Sequence, residues 1–269
     1  PYFAKTSSAP WSDYGVRPSM ALAATSFAQA KALMDRGIQS DNTQPGGTAY
    51  LVSTEDKARN VRAANYPRTA QHMTNWVDTE IVQGDSIRGR TDVLFYFTGK
   101  VRVPHLETLQ FVPGAVADHL TSAGGRLTDS RQMSALRWLE AGATGSYGTV
   151  VEPCNLPGKF PHPGLVMEGY GAGRTLLEAY WQGVQQPGEG IFIGEPLAAP
   201  YDGYRLERQG ERLLLTTRVL QPGQYRLSHA IDPVGPFHPL PEVLRVGYHQ
   251  QRFVLPDIEG GGYLRLERR

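Results

Sequence analysis

DVLFYFTG, residues 92–99, is an unbroken apolar run that opens on an acid and closes on a glycine. A strand with one wet face alternates apolar and polar residues; a run with no polar partner predicts burial on both faces, as in a parallel sheet. Working outward, TAYLVST (48–54), SYGTVV (146–151) and IFIGEPLAAP (191–200) supply further short strands. Between them lie segments with helical spacing. ALAATSFAQAKALMDRG (21–37) sets Leu22, Phe27, Ala30, Leu33 and Met34 near one face, with Gly37 as the stop. EDKARNVRAANY (55–66) and DSRQMSALRWLEAG (129–142) read as helices, the second with Met133, Leu136 and Leu139 inward. GLVMEGYGAGRTLLEAYWQGVQ (164–185) reads as two helical pieces divided around Gly171 and Gly173, and LQFVPGAVADHL (109–120) as broken by Pro113-Gly114. The first twenty residues show no period and read as extended.

This alternation predicts an α/β domain over residues 1–200, a mainly parallel sheet sandwiched by helices. From 201 to 269 the character changes. YRLER, RLLLTTRVL, QYRLSHA, EVLRVGYHQQRFVL and YLRLERR alternate between turn signals such as QPG and EGGG, which predicts a small antiparallel β-module.

Composition narrows the function classes. The chain has 269 residues, 40% of them hydrophobic, and 27 basic against 26 acidic residues give a net charge of +1. That balance leaves no basic footprint for nucleic acid or an anionic membrane, and no apolar run is long enough to span a bilayer. A single cysteine excludes an internal disulfide and a cysteine-based zinc site. The seven histidines (72, 105, 119, 162, 229, 238 and 249) are scattered without metal-ligand spacing, so no metal is expected. GKVRVPHL lacks the spacing of a phosphate loop and GAGRT that of a dinucleotide fingerprint, so no cofactor is expected either. The chain opens at Pro1 with no leader, which reads as a processed or incomplete product lacking an N-terminal part of the α/β domain.

In parallel sheets, sites form at the carboxyl ends of strands. Three stretches therefore matter: FTGK (97–100), DHLTSAGG (118–125) and EPCN (152–155). His119 as base with Ser122 or Cys154 as nucleophile would make a catalytic pair. Asp118 and His119 are adjacent, so a regular strand sends them to opposite faces. The bland reading is that Asp118 and Thr121 serve the turn before TSAGG, and that Cys154 is a small apolar residue held by Pro153 and Pro157. Lys159 and His162, in the loop KFPHPG, either form a lid over the strand ends or a rigid connector to the next helix.

Taken in order, VRPSMALA, LMDRGIQSD, GTAYLVST, DVLFYFTG, ADHLTSAGG, GATGSYGTVVEPCN, KFPHPG, TLLEAYWQGV and GIFIGEPLAAPY resemble an uncharacterised bacterial family associated with exosortase-containing genomes. The resemblance spans about residues 10 to 200. It implies an exported protein, periplasmic or at the cell surface. More distantly, the order of parts is similar to the caspase-like fold of gingipain-type cysteine peptidases. There a buried strand ends in His-Gly, and the next ends at the nucleophilic Cys. Here Thr98-Gly99-Lys100 stands in the first place and Thr121-Ser122 near the second, while GRTLLEA (173–179) and IGEP (193–196) match two later motifs. Both halves of the dyad are missing from their expected places, and Cys154 falls one strand late.

The resulting expectation is an envelope pseudoenzyme. Its strand-end pocket, lined by Asp118, Thr121, Glu152, Lys159 and His162, binds a peptide, glycan or protein partner and no nucleic acid. Two other readings stand beside it. One is a hydrolase or transpeptidase using His119, Ser122 and Cys154; the other is a structural subunit of a larger extracellular assembly.

Overall fold

The computed structural model describes all residues except 1, 6, 8, 152–154, 211, 248–251, 257, 259 and 260. It divides into two compact units, Pro1–Tyr201 and Asp202–Arg269.

The first unit holds α1 (Pro10–Tyr14), α2 (Phe27–Ser40), β1 (Thr48–Ser53), α3 (Tyr66–Met73), β2 (Asp78–Gln83), β3 (Val93–Thr98), β4 (Phe111–His119), α4 (Leu136–Ala141), β5 (Gly145–Thr149), α5 (Pro163–Gly171), α6 (Leu176–Gly183) and β6 (Gly190–Gly194). Its sheet runs β2-β1-β3-β4-β5-β6. The first five strands are mutually parallel, and β6 closes the sheet antiparallel to β5. The α/β reading of DVLFYFTG holds: every residue of β3 is buried. Phe95 and Phe97 face a core built with Tyr66 and Met73 of α3, Val166, Met167 and Tyr170 of α5, and Leu176 and Tyr180 of α6. Val93 and Tyr96 face the other side, against Met133 and Trp138. Helix α2 joins that side through Leu33, packed with Leu136, Leu139 and Ile193.

Local boundaries differ from the sequence expectations, each for a physical reason. The first twenty residues, expected to be extended, include the short helix α1. The helix expected from residue 21 is α2, which begins at Phe27, where Ser26 accepts a hydrogen bond from the Gln29 amide as N-cap. Leu22 therefore precedes the helix, and Phe27 is 85% exposed instead of inward. Gly37 is not the stop. It lies inside the helix, where a Cβ would stand 2.7 Å from Cγ of Glu195, so it permits close packing. The segment 55–66 forms a 3-10 turn over Asn60–Asn65 before α3 begins. Pro113-Gly114 does not break the fourth strand; it produces a register shift within β4, with Gly114 at φ +86°. The helix expected over 129–142 is confined to α4, because Gln132 and Met133 are drawn into loop contacts.

The second unit contains β7 (Tyr204–Gln209), β8 (Arg212–Thr217), β9 (Gly223–Ala230), β10 (His238–Val246), β11 (Arg252–Leu255) and β12 (Tyr263–Arg268). They form two three-stranded sheets, β11-β8-β7 and β10-β9-β12, with every pairing antiparallel. Leu215, Phe253 and Leu255 of one sheet and Tyr225, Leu227 and Val246 of the other share one core, the arrangement of a small sandwich.

Candidate functional site

Because β1, β3, β4 and β5 are parallel, the loops that follow them emerge at one edge of the sheet. Short contacts tie these loops together. The Thr54 hydroxyl, just after β1, donates to the Gly99 carbonyl just after β3 at 2.6 Å. Gly99 itself lies against the Arg59 backbone: a Cβ there would stand 1.9 Å from the Arg59 carbonyl oxygen. No side chain fits at that position. After β4, Gly125 crosses Gly148 of β5 so closely that a Cβ on either would meet the other's backbone at 2.2–2.3 Å. The Gly125 amide donates to the Thr149 carbonyl, and the Thr149 hydroxyl to the Thr121 carbonyl. Within GATGSYGTVV, Gly148 thus serves backbone approach, Gly145 makes room for the Leu176 side chain, and Gly142 takes the left-handed conformation that ends α4.

Asp118 and His119 leave β4 on opposite faces, as the pleat requires. The Asp118 carboxylate is buried beneath the strand ends, with Oδ1 2.6 Å from Nη1 of Arg62. Arg62 is equally buried and also donates to the carbonyls of Thr98 and Pro161. Tyr180 approaches Oδ2 at 3.5 Å. Burial pushes the Asp118 carboxyl up, opposed by the guanidinium beside it. This is an internal ion pair, and it corrects the expectation that Asp118 lines an open pocket.

His119 is buried on the other face. Trp138 Nε1 donates to its Nδ1 at 2.9 Å, and its Nε2 lies 3.1 Å from the Met133 carbonyl. An indole N–H can only donate, so Nδ1 must be the unprotonated nitrogen and Nε2 carries the hydrogen given to Met133. Burial holds the ring neutral, its pKa lowered to about 3. Both nitrogens are occupied, which corrects the assignment of His119 as a general base.

Thr121 and Ser122 are held by a residue that the motif search passed over. The Gln132 side-chain oxygen accepts from the Thr121 hydroxyl at 2.6 Å and the Ala123 amide at 2.8 Å, while its nitrogen donates to the Ser122 hydroxyl at 2.9 Å. Arg59 reaches the Thr121 hydroxyl with Nε at 3.1 Å and pairs with Asp56 at 2.9 Å. Thr121 is buried and Ser122 half-buried. Ser122 is bonded to the Gln132 amide instead of a base, so the expected His119–Ser122 pair does not form. No motif marks Gln132, and the helical reading of 129–142 placed it inside a helix instead of in the loop before α4.

Lys159 is buried, its ammonium donating to the Val151 carbonyl and 3.9 Å from Glu189. The Tyr147 hydroxyl donates to its backbone carbonyl at 2.7 Å. It is a brace inside the fold, which corrects the expectation that Lys159 lines the strand-end pocket. His162 is half-buried and caps α5, its Nδ1 accepting from the Leu165 amide, and burial lowers its pKa. Of the two readings of KFPHPG, the rigid connector fits. Glu152 and Cys154 lie outside the described residues.

The outer surface of this edge is different in kind. Val101, Val151 and Leu156 are exposed. Exposed arginines lie in loops of the same edge: Arg126 donates to the Val150 carbonyl and Arg102 to the Arg131 carbonyl. Among the described residues no group of three or more His, Cys, Asp or Glu is placed to hold a metal ion. No helix there is long and apolar enough to cross a membrane. Fold and edge together define an α/β protein with a mainly parallel, helix-flanked sheet and a separate antiparallel module. Comparison with known proteins gives no match, whether to family models, curated proteins or solved structures.

Proposed function

We propose that this chain is an exported, envelope-located binding protein, and that its strand-end edge engages a peptide segment of a protein partner without catalysing a reaction. The observation that carries this reading is the state of His119. A ring whose two nitrogens are bonded to Trp138 and Met133, and whose pKa is depressed to about 3, has no capacity to take a proton from a hydroxyl or thiol near neutral pH. Ser122 is bonded to Gln132, which supplies no base. What the edge offers outward is Val101, Val151 and Leu156 beside Arg102, Arg126 and Arg131. Apolar side chains set among cations complement a peptide that combines large apolar with acidic residues.

The test is fluorescence anisotropy with defined labelled peptides, one series rich in Leu and Glu and a matched series with Lys in place of Glu. The acidic series binds, and Arg126→Glu combined with Val151→Asp weakens it at least tenfold. Equal binding of both series, or binding unaffected by the double substitution, overturns the proposal. Peptide hydrolysis that disappears in Ser122→Ala or Cys154→Ala would instead establish the hydrolase.

A further inference from the structure

The second unit leaves a strand edge open. Among the described residues β7 takes its ladder hydrogen bonds from β8 alone, and all six of its residues are exposed. The register sets Leu206 opposite Leu215 and Tyr204 opposite Thr217, so Tyr204 and Leu206 share the face that buries Leu215 and Phe253. Yet Tyr204 is 65% exposed and Leu206 45%. The apolar face of the sheet continues onto its outermost strand, whose outer side pairs with no other strand among the described residues. Edges that stay single carry charged side chains, lysine above all, or proline, a bulge or a very short strand. The β7 strand, YRLERQ, has neither lysine nor proline and pairs with β8 without a register shift. Its charges are Arg205, Glu207 and Arg208, and Arg205 and Glu207 form an ion pair at 2.8 Å along the strand, which can be exchanged for the same pair across two copies.

We propose that β7 pairs antiparallel with β7 of a second copy of this chain, about a two-fold axis through Leu206. The order of charges selects that register. Centred on Leu206, Arg205 of each copy stands opposite Glu207 of the other, twice by symmetry. Leu206 meets its own equivalent, and Tyr204 stands opposite Arg208, a cation beside an aromatic ring. Centred on Arg205, that arginine faces itself; centred on Glu207, that glutamate faces itself, and like charges directly opposite are destabilising. Registers offset by one residue pair Leu206 with Arg205 or Glu207 and turn one copy's apolar face to the other's charged face. One register therefore satisfies face, charge and apolar contact together, as an isologous dimer interface demands. The contact is short, so self-association is concentration-dependent, with a dimer forming below about 100 µM, toward the weak end of specific interfaces.

The experiment is sedimentation equilibrium on the full chain and two charge variants. Wild type forms dimers, while Arg205→Glu and Glu207→Arg are each monomeric at the same concentration. Their 1:1 mixture dimerises again, because each glutamate of one variant then faces an arginine of the other. Recovery on mixing also shows that both variants are folded. Three outcomes overturn the proposal: a monomeric wild type at about 100 µM, which leaves the edge to another occupant or none; dimers that persist in the separate variants, which place the contact on another surface; and variants that stay monomeric when mixed, which exclude this register.

Discussion

Two strands of the same length, β3 and β7, mark the extremes of this molecule. VLFYFT is buried at every position and YRLERQ is exposed at every position. The first lies between neighbours in a sheet covered on both faces, and its identity is fixed by packing. The second lies at the rim of a small sandwich, and its identity expresses what happens outside the unit. Substitutions in β3 therefore report on folding, and substitutions in β7 report on association.

The sharpest break in that contrast is Phe97→Ala. It empties a position between Leu51, Tyr66 and the aromatic cluster of one core, and it is expected to cost about 4 kcal/mol in denaturant unfolding. Asp118→Asn comes next. It leaves the Arg62 guanidinium buried without a counter-charge, at an expected cost of about 3 kcal/mol in the same measurement. A smaller effect comes from His119. Its folded pKa is depressed to about 3 from the ordinary 6.5. Its contribution to stability is therefore complete above the unfolded value and is lost as pH falls below it. Between pH 6 and 4 the wild type loses on the order of 1 kcal/mol per pH unit from this ring alone. His119→Gln, followed by urea midpoints across that range, removes that part of the slope. Smallest is Leu206→Ala, expected to change unfolding stability by less than about 0.5 kcal/mol. A cost as large as that of Phe97→Ala would mean that β7 is covered within its own chain, and the contrast would fail.

The fold was readable where burial leaves a periodic trace. DVLFYFTG announced a strand wet on neither side, and 164–185 announced two helices divided around Gly171 and Gly173, realised as α5 and as α6 with a capping box between Thr175 and Glu178. The alternating segments after residue 201 likewise became two antiparallel sheets. The edge strand β2, DTEIVQ, escaped notice because none of its residues is buried and it has no apolar period. The site was legible only in part. The pleat correctly sent Asp118 and His119 to opposite faces, but their partners Arg62 and Trp138 stand 56 and 19 positions away in sequence. Whether an ionisable residue at a strand end faces solvent or an internal partner depends on the loop that closes over it. Here Gly99 and Gly125 let those loops descend onto the strands and occupy the space that a pocket would need.

The ring of His119 carries one last consequence. Its Nε2 hydrogen sits between an imidazole and the Met133 carbonyl, in a core sealed by Trp138. That hydrogen can trade with solvent deuterium only when the core parts, so its lifetime in a magnetic-resonance spectrum is a clock for the opening of that face of the sheet. Trp138, bonded to the same ring, supplies an optical companion: its emission changes when the imidazole gains its second proton. The protein thus holds, under its strand ends, a native gauge of its own cohesion that needs no label.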